Sequence, residues 1–196
     1  MKIIKKIFKF IGFFLLIAIV LGGGAAYYIL LYPNTNFKGR AYELYIPTGS
    51  DYEVISERLY PVLSNSDTFF WLAKGLQYTE HVRPGRYVIR KGMNNLEMVR
   101  MLRNLSQPIK LSFNNQDRLP NLAQRISQEI EADSTSLMNA FLNSDFLYRN
   151  QTDSLNVIGL FIPNTYEFYW NTSAETFVEK MEKEYKRFWN ERRRAK

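Results

Sequence analysis

From Phe10 to Tyr32 the chain reads FIGFFLLIAIVLGGGAAYYILLY, without one charged side chain. About 20 apolar residues in a helix cross the hydrocarbon layer of a bilayer, so the run predicts a membrane-spanning helix. Lys2, Lys5, Lys6 and Lys9 precede it, against only Lys38 and Arg40 soon after, and this asymmetry orients the N-terminus to the cytoplasm. Tyr27, Tyr28 and Tyr32 suit the outer interface, where amphipathic rings settle. A cleaved signal peptide carries a shorter apolar region of about 7–15 residues. Here the run continues past the small residues Gly22 to Ala26 into Ile29-Leu30-Leu31, which favours a retained anchor.

Beyond the anchor the pattern changes to short alternating and helical segments that repeat. Shifting the chain by 67 lays Tyr42–Ile46 on Ile109–Phe113, both alternating like half-buried strands, and pairs Arg58-Leu59 with Arg125-Ile126. Shifting by 79 lays Pro84-Gly85-Arg86-Tyr87 on Pro163-Asn164-Thr165-Tyr166, and Met98-Val99 on Phe177-Val178. The difference of 12 residues predicts an insertion around Phe146 to Ile158. Each unit reads strand, helix, helix, strand, helix. In the first, Asp51 is expected to cap a helix containing Ile55 and Leu59, and Asp67 one containing Phe70, Trp71 and Leu76. Pro84-Gly85 turns into a strand over Tyr87–Ile89, and Asn94 caps the helix that follows. The last helix starts near Ser173 with an apolar stripe Phe177, Met181, Tyr185, Phe188 and Trp189, and is expected to run on to Lys196 as though cut short. Glu179–Lys183 and Glu182–Lys186 are candidate i,i+4 pairs on its polar face.

Charge narrows the function classes. The net charge of +7 resides at the two ends: between Phe10 and Asn190 there are 18 basic and 18 acidic residues. A nucleic-acid site needs basic groups spread over a folded face, so no nucleic-acid partner is expected. The absence of cysteine excludes disulfides, thiolate metal sites and a cysteine nucleophile. His81, the only histidine, lies in a polar loop and reads as solvated. No metal, no cofactor and no Ser-His-Asp arrangement is expected. Arg83, Arg86, Arg90, Lys91, Arg100, Arg103 and Lys110 face a single acid, Glu97, over one stretch. They read as a solvated face, or as a surface for anionic lipid headgroups or wall-peptide carboxylates.

The most unusual local stretch runs from Gly159 to Trp170 (GLFIPNTYEFYW). It mixes rings with amide, hydroxyl and carboxylate groups, the mixture that binds sugar. Read as a plain core strand, it would bury alternate residues such as Tyr166 and Phe168.

With the anchor, the Arg83–Ile89 turn and strand, the helix from Asn94 to Asn104 and the block Gly159-Leu160-Phe161-Ile162-Pro163-Asn164-Thr165-Tyr166, the chain resembles the endolytic murein transglycosylase (MltG, YceG-like) family in a Bacteroidetes-like version. Ile158 stands where that family usually has Glu. The resemblance implies an α+β fold: cytoplasmic tail 1–9, transmembrane helix 10–32, linker 33–41, a LysM-like βααβ module over 42–107, and a related βααβα unit over 108–196 that opens an incomplete catalytic domain. It implies a lyase of the inner membrane, its bulk periplasmic, that cleaves MurNAc–GlcNAc bonds to leave 1,6-anhydroMurNAc ends, with glycan strands and cell-wall synthases as partners. Its anchor would confine cutting to strands near the membrane. The family's acid lies in a segment similar to S-I-[IV]-x-x-E-T, which this chain does not contain, so no residue here takes the catalytic role and the chain alone is expected to be inactive. Asn164, Tyr166 and Glu167 are the expected glycan-binding residues. The competing reading is a non-catalytic anchored scaffold that holds peptidoglycan.

Overall fold

The computed structural model describes residues 2–104, 106–116 and 118–190. Glu191, Arg192, Arg193, Arg194 and Lys196 lie outside the described residues, as do the side chains of Lys2 and Lys5. Helix α1, Lys2–Leu31, contains a segment Lys9–Leu31 that is long and apolar enough to cross a membrane, with a mean hydropathy of 2.3 and none of it buried within the protein. The chain, α1 included, divides into two compact units. One holds residues 1–44, 50–83 and 87–105, the other 45–49, 84–86 and 106–196.

The first unit takes the order expected from the repeat. Strand β1 (Ala41–Ile46) leads to α2 (Tyr52–Leu59), α3 (Ser66–Gly75), β2 (Gly85–Arg90) and α4 (Asn95–Arg103). Asp51 accepts a hydrogen bond from the Val54 amide and so starts α2. Asn94 and Glu97 form a reciprocal capping box that starts α4. β1 and β2 pair. Gly85 enters β2 at φ +137°, in the region that disfavours side chains. The core is Ile55, Leu59, Phe69, Tyr78, Tyr87, Ile89, Met98 and Leu102.

Two expectations change here. The cap of α3 is Asn65, which accepts from the Thr68 amide, while Asp67 sits inside the first turn. Asn65 is held in that role because its own amide donates to the Asn34 side chain. Leu76 is the residue after α3 rather than part of it, and Trp71 is exposed. Residues 33–41 are tied down by hydrogen bonds: Pro33 bridges to Asn94, Thr35 bridges to Leu63, and the Asn34 amide donates to the Met93 carbonyl.

The second unit repeats the scheme with β3 (Pro108–Phe113), α5 (Leu119–Ser127), α6 (Ser134–Phe141), α7 (Ser144–Arg149), β4 (Asn164–Tyr169) and α8 (Ala174–Phe188). The 12-residue insertion appears as α7 and the turns after it. β3 and β4 pair antiparallel, Pro108 opposite Tyr169 and Phe113 opposite Asn164. Helices α5, α6 and α8 pack apolar faces together with Leu111, Phe113, Tyr166 and Phe168 in one core. Phe177, fully buried, stacks on Phe168 at 5.0 Å and also meets Phe141 and Phe161.

Among the described residues helix α8 ends at Phe188, where Trp189 turns out of helical geometry and Asn190 follows; the expected run over 191–196 lies outside them. Its stripe is buried at Phe177 and Met181 but 38% exposed at Phe188 and 41% at Trp189. A helix without a packed face is marginal in water, which accounts for the stop. Glu182 is also not on a polar face: it is 8% exposed, paired with Arg149 at 3.0 Å and with Lys186. The insertion supplies Arg149, and no periodicity in α8 could have announced a partner from another helix.

Candidate functional site

Within the second unit the GLFIP stretch forms one wall of a groove of about 340 Å³. Val157 and Leu160 are buried and pin a short turn, leaving Gly159, Ile162 and Pro163 along the groove. The turn is held from before by Asp153, whose carboxylate accepts from the Leu155 and Asn156 amides. Bonds from the Asn156 amide and side chain, then from Leu155, hold the Asp153 carboxyl below the usual range. The facing wall carries Asn114, Asn115 and Gln116, directly after β3. Phe188 and Trp189 close the groove, their rings edge to face at 5.1 Å. Exposed rings beside three amide side chains can stack on apolar sugar faces and bond sugar hydroxyls.

The three expected binding residues occupy different places. Tyr166 is buried: its ring stacks on Phe113 at 5.7 Å, and its hydroxyl donates to the Ile162 carbonyl at 2.7 Å. Burial, then the Glu184 charge, raises its pKa, so it stays a neutral donor. Tyr87 in the first unit does the same, donating to the Arg83 carbonyl at 3.0 Å. Both tyrosines reach back four residues at equivalent positions of the repeat, so this bond belongs to the architecture of the unit. Tyr166 therefore supports the groove wall without lining it. Asn164 is exposed beside the groove, opposite Phe113 in the sheet, with its side-chain oxygen on the Thr165 amide. Glu167 is exposed opposite Lys110, and its backbone carbonyl accepts from the Lys180 ammonium. Asn114, Asn115, Gln116, Phe188 and Trp189 were not among the expected residues. The one signal for them is that Phe188-Trp189 prolongs an apolar stripe beyond what the core buries.

Ile158 also lines the groove, so this wall presents an alkyl group where the resemblance expects a carboxylate. Glu182, the most buried carboxylate among the described residues, is unsuited to general acid work. Burial alone would raise its pKa, but the Lys186 bond and charge and the Arg149 charge outweigh it and hold the carboxyl below the usual range. A group held ionised in this way has no proton to give near neutral pH. His81 is exposed, with Nδ1 3.2 Å from the Gln77 carbonyl, and among the described residues no three His, Cys, Asp or Glu side chains cluster as metal ligands.

The depressed pKa of Glu182 gives a stability prediction. Ionised Glu182 stabilises the fold above the unfolded carboxylate value of about pH 4.3. That stability is lost as pH falls through the lower folded value. Glu182→Gln is therefore expected to cost about 1 kcal/mol near pH 7, small because Arg149 and Lys186 are half exposed. The difference from wild type should vanish in denaturation midpoints taken well below pH 4. A constant difference from pH 7 to pH 3 would contradict the ion-pair account.

A model of the YceG-like family matches residues 44–196. No curated protein matches the chain. Among solved structures, one described as a YceG-like protein from Listeria monocytogenes is similar at 21% identity and a TM-score of 0.40. That similarity covers 79% of this chain and 57% of the Listeria protein, so the chain spans little more than half of that relative's length.

Proposed function

The chain belongs to the YceG-like family, and from that premise we propose that it serves the lytic cleavage of peptidoglycan as a membrane-anchored, glycan-binding protein. In this reading α1 crosses the inner membrane with its N-terminus inside, and both units stand on the periplasmic side. The first unit is a LysM-like module, and the second opens the catalytic domain. The reaction is the family's transfer of the MurNAc 6-hydroxyl onto C1, breaking the MurNAc–GlcNAc bond without water and leaving a 1,6-anhydro end. That chemistry requires one carboxyl group acting as acid and then as base. No residue of this chain is assigned that role, because it contains no S-I-[IV]-x-x-E-T segment and Glu182 is held ionised.

The observation that carries the reading is the ring-and-amide groove built on the same GLFIP stretch that carries the family likeness. Its test is retention of the detergent-solubilised chain on purified sacculi. The wild-type chain is expected to sediment with sacculi. Trp189→Ala, a change at a partly exposed ring, is expected to weaken retention about tenfold, in line with about 1–3 kcal/mol for a lost stacking contact. Equal retention of the two proteins would remove the groove from the reading. The chain alone is expected to release no anhydro-muropeptides, and release would show that one of its own carboxyl groups acts as the acid.

A further inference from the structure

The exit of α1 from its apolar span is surrounded by basic side chains that the groove does not use. Lys38 and Arg40 follow α1 and are exposed; Arg90 and Lys91, from the end of β2, are exposed beside them. Hydrogen bonds from backbone amides join the two segments. The Lys91 amide donates to the Arg40 carbonyl at 3.0 Å, the Gly92 amide to the Thr35 hydroxyl at 2.7 Å, and the Asn34 amide to the Met93 carbonyl at 2.9 Å. Thr35 is only four residues beyond the end of α1, so a turn distant in sequence is held at the helix exit. Among the described residues, no acidic side chain pairs with any of these four cations. Tyr28, on the last turn of α1, and Tyr32, just after it, stack at 5.4 Å, rings of the kind that settle at headgroup level.

We propose that Lys38, Arg40, Arg90 and Lys91 form a surface that binds the anionic headgroups of the leaflet into which α1 emerges. The proposal rests on the anchor reading of α1. A lipid surface fits better than wall carboxylates because these bonds tie the turn that carries Arg90 and Lys91 to the segment that begins three residues after the apolar span. The field of an anionic leaflet decays over about 8–10 Å at physiological salt, and long basic side chains can cross that distance. The unit next to the membrane would then lie against the bilayer.

The chain has no cysteine, so single labels are clean. Asn36→Cys, at an exposed position, carries an environment-sensitive dye in the full chain reconstituted into vesicles of phosphatidylcholine alone or with one third phosphatidylglycerol. Headgroup-labelled quencher lipid is expected to quench this dye at least twofold more in the anionic vesicles, and 0.5 M salt is expected to abolish the difference. K38E/R40E/R90E/K91E should abolish it as well; the salt arm needs no variant and stands if that protein fails to fold. Equal quenching in both vesicle types overturns the proposal, as does a dye protected by added sacculi and indifferent to lipid charge. A label at Leu15→Cys separates the premise: quenching there by acyl-chain-labelled lipid supports the anchor whatever Asn36 reports. Its absence overturns anchor and surface together.

Discussion

Phe177→Ala is expected to destabilise the second unit by about 4 kcal/mol, a large part of the stability of a domain this size. The ring is fully buried and lies against Phe141, Phe161 and Phe168, from α6, the GLFIP stretch and β4. Removing it takes away the transfer free energy of a whole aromatic side chain. It also leaves a void whose walls come from three elements and cannot all move inward. Phe161 lines the groove, so the damage should extend from the core to the site. Chemical denaturation in detergent micelles, followed by the fluorescence of Trp170 and Trp189, measures it. Phe177→Leu, closer in volume, should cost less than about 1.5 kcal/mol. A loss under about 1 kcal/mol for the alanine variant would mean that the core is not packed around this ring.

Asn95→Ala is expected to cost the first unit about 3 kcal/mol, although no apolar contact is at stake. Asn95 is 1% exposed, and its amide nitrogen donates to the Ile29 carbonyl at 2.8 Å and to the Thr68 hydroxyl at 3.2 Å. Its oxygen accepts from the Asn34 amide group at 2.6 Å. The Ile29 carbonyl needs this donor because the residue four positions later is Pro33, which has no N–H to offer. Alanine would leave that carbonyl and the Asn34 nitrogen short of partners, each costing about 1–3 kcal/mol when buried. The expected sign is a lower denaturation midpoint together with faster proteolysis within residues 33–40, which the network holds in place. Arg100→Ala, at an exposed position of the same helix, should change neither. Unchanged cleavage in the Asn95 variant would show that the segment is held by something else.

The apolar span, the strands, the caps at Asp51, Asn94 and Ser173 and the doubled arrangement were legible because each depends on local periodicity or on a side chain bonding its own next turn. Asn65 escaped because its choice as cap over Asp67 depends on Asn34, 31 residues earlier. Tyr166 stood out in a sugar-like composition, but its hydroxyl is used on the Ile162 backbone, a bond visible only beside its counterpart in Tyr87.

Composition along the chain was enough to locate the long apolar helix, the doubled order of strands and helices and the stretch around which the groove is built, since a 20-residue apolar run and periods of two or 3.6 residues are properties of neighbours. Folding alone decided that Glu182 would meet Arg149, that Phe188 and Trp189 would line a cavity with Asn114, and that Lys91 would lie beside Arg40. Each of these brings together residues 33 to 75 positions apart, and such meetings are set by how packed faces bring distant turns together. The groove's chemistry belongs to that second class, which explains why its stretch could be recognised but its walls could not.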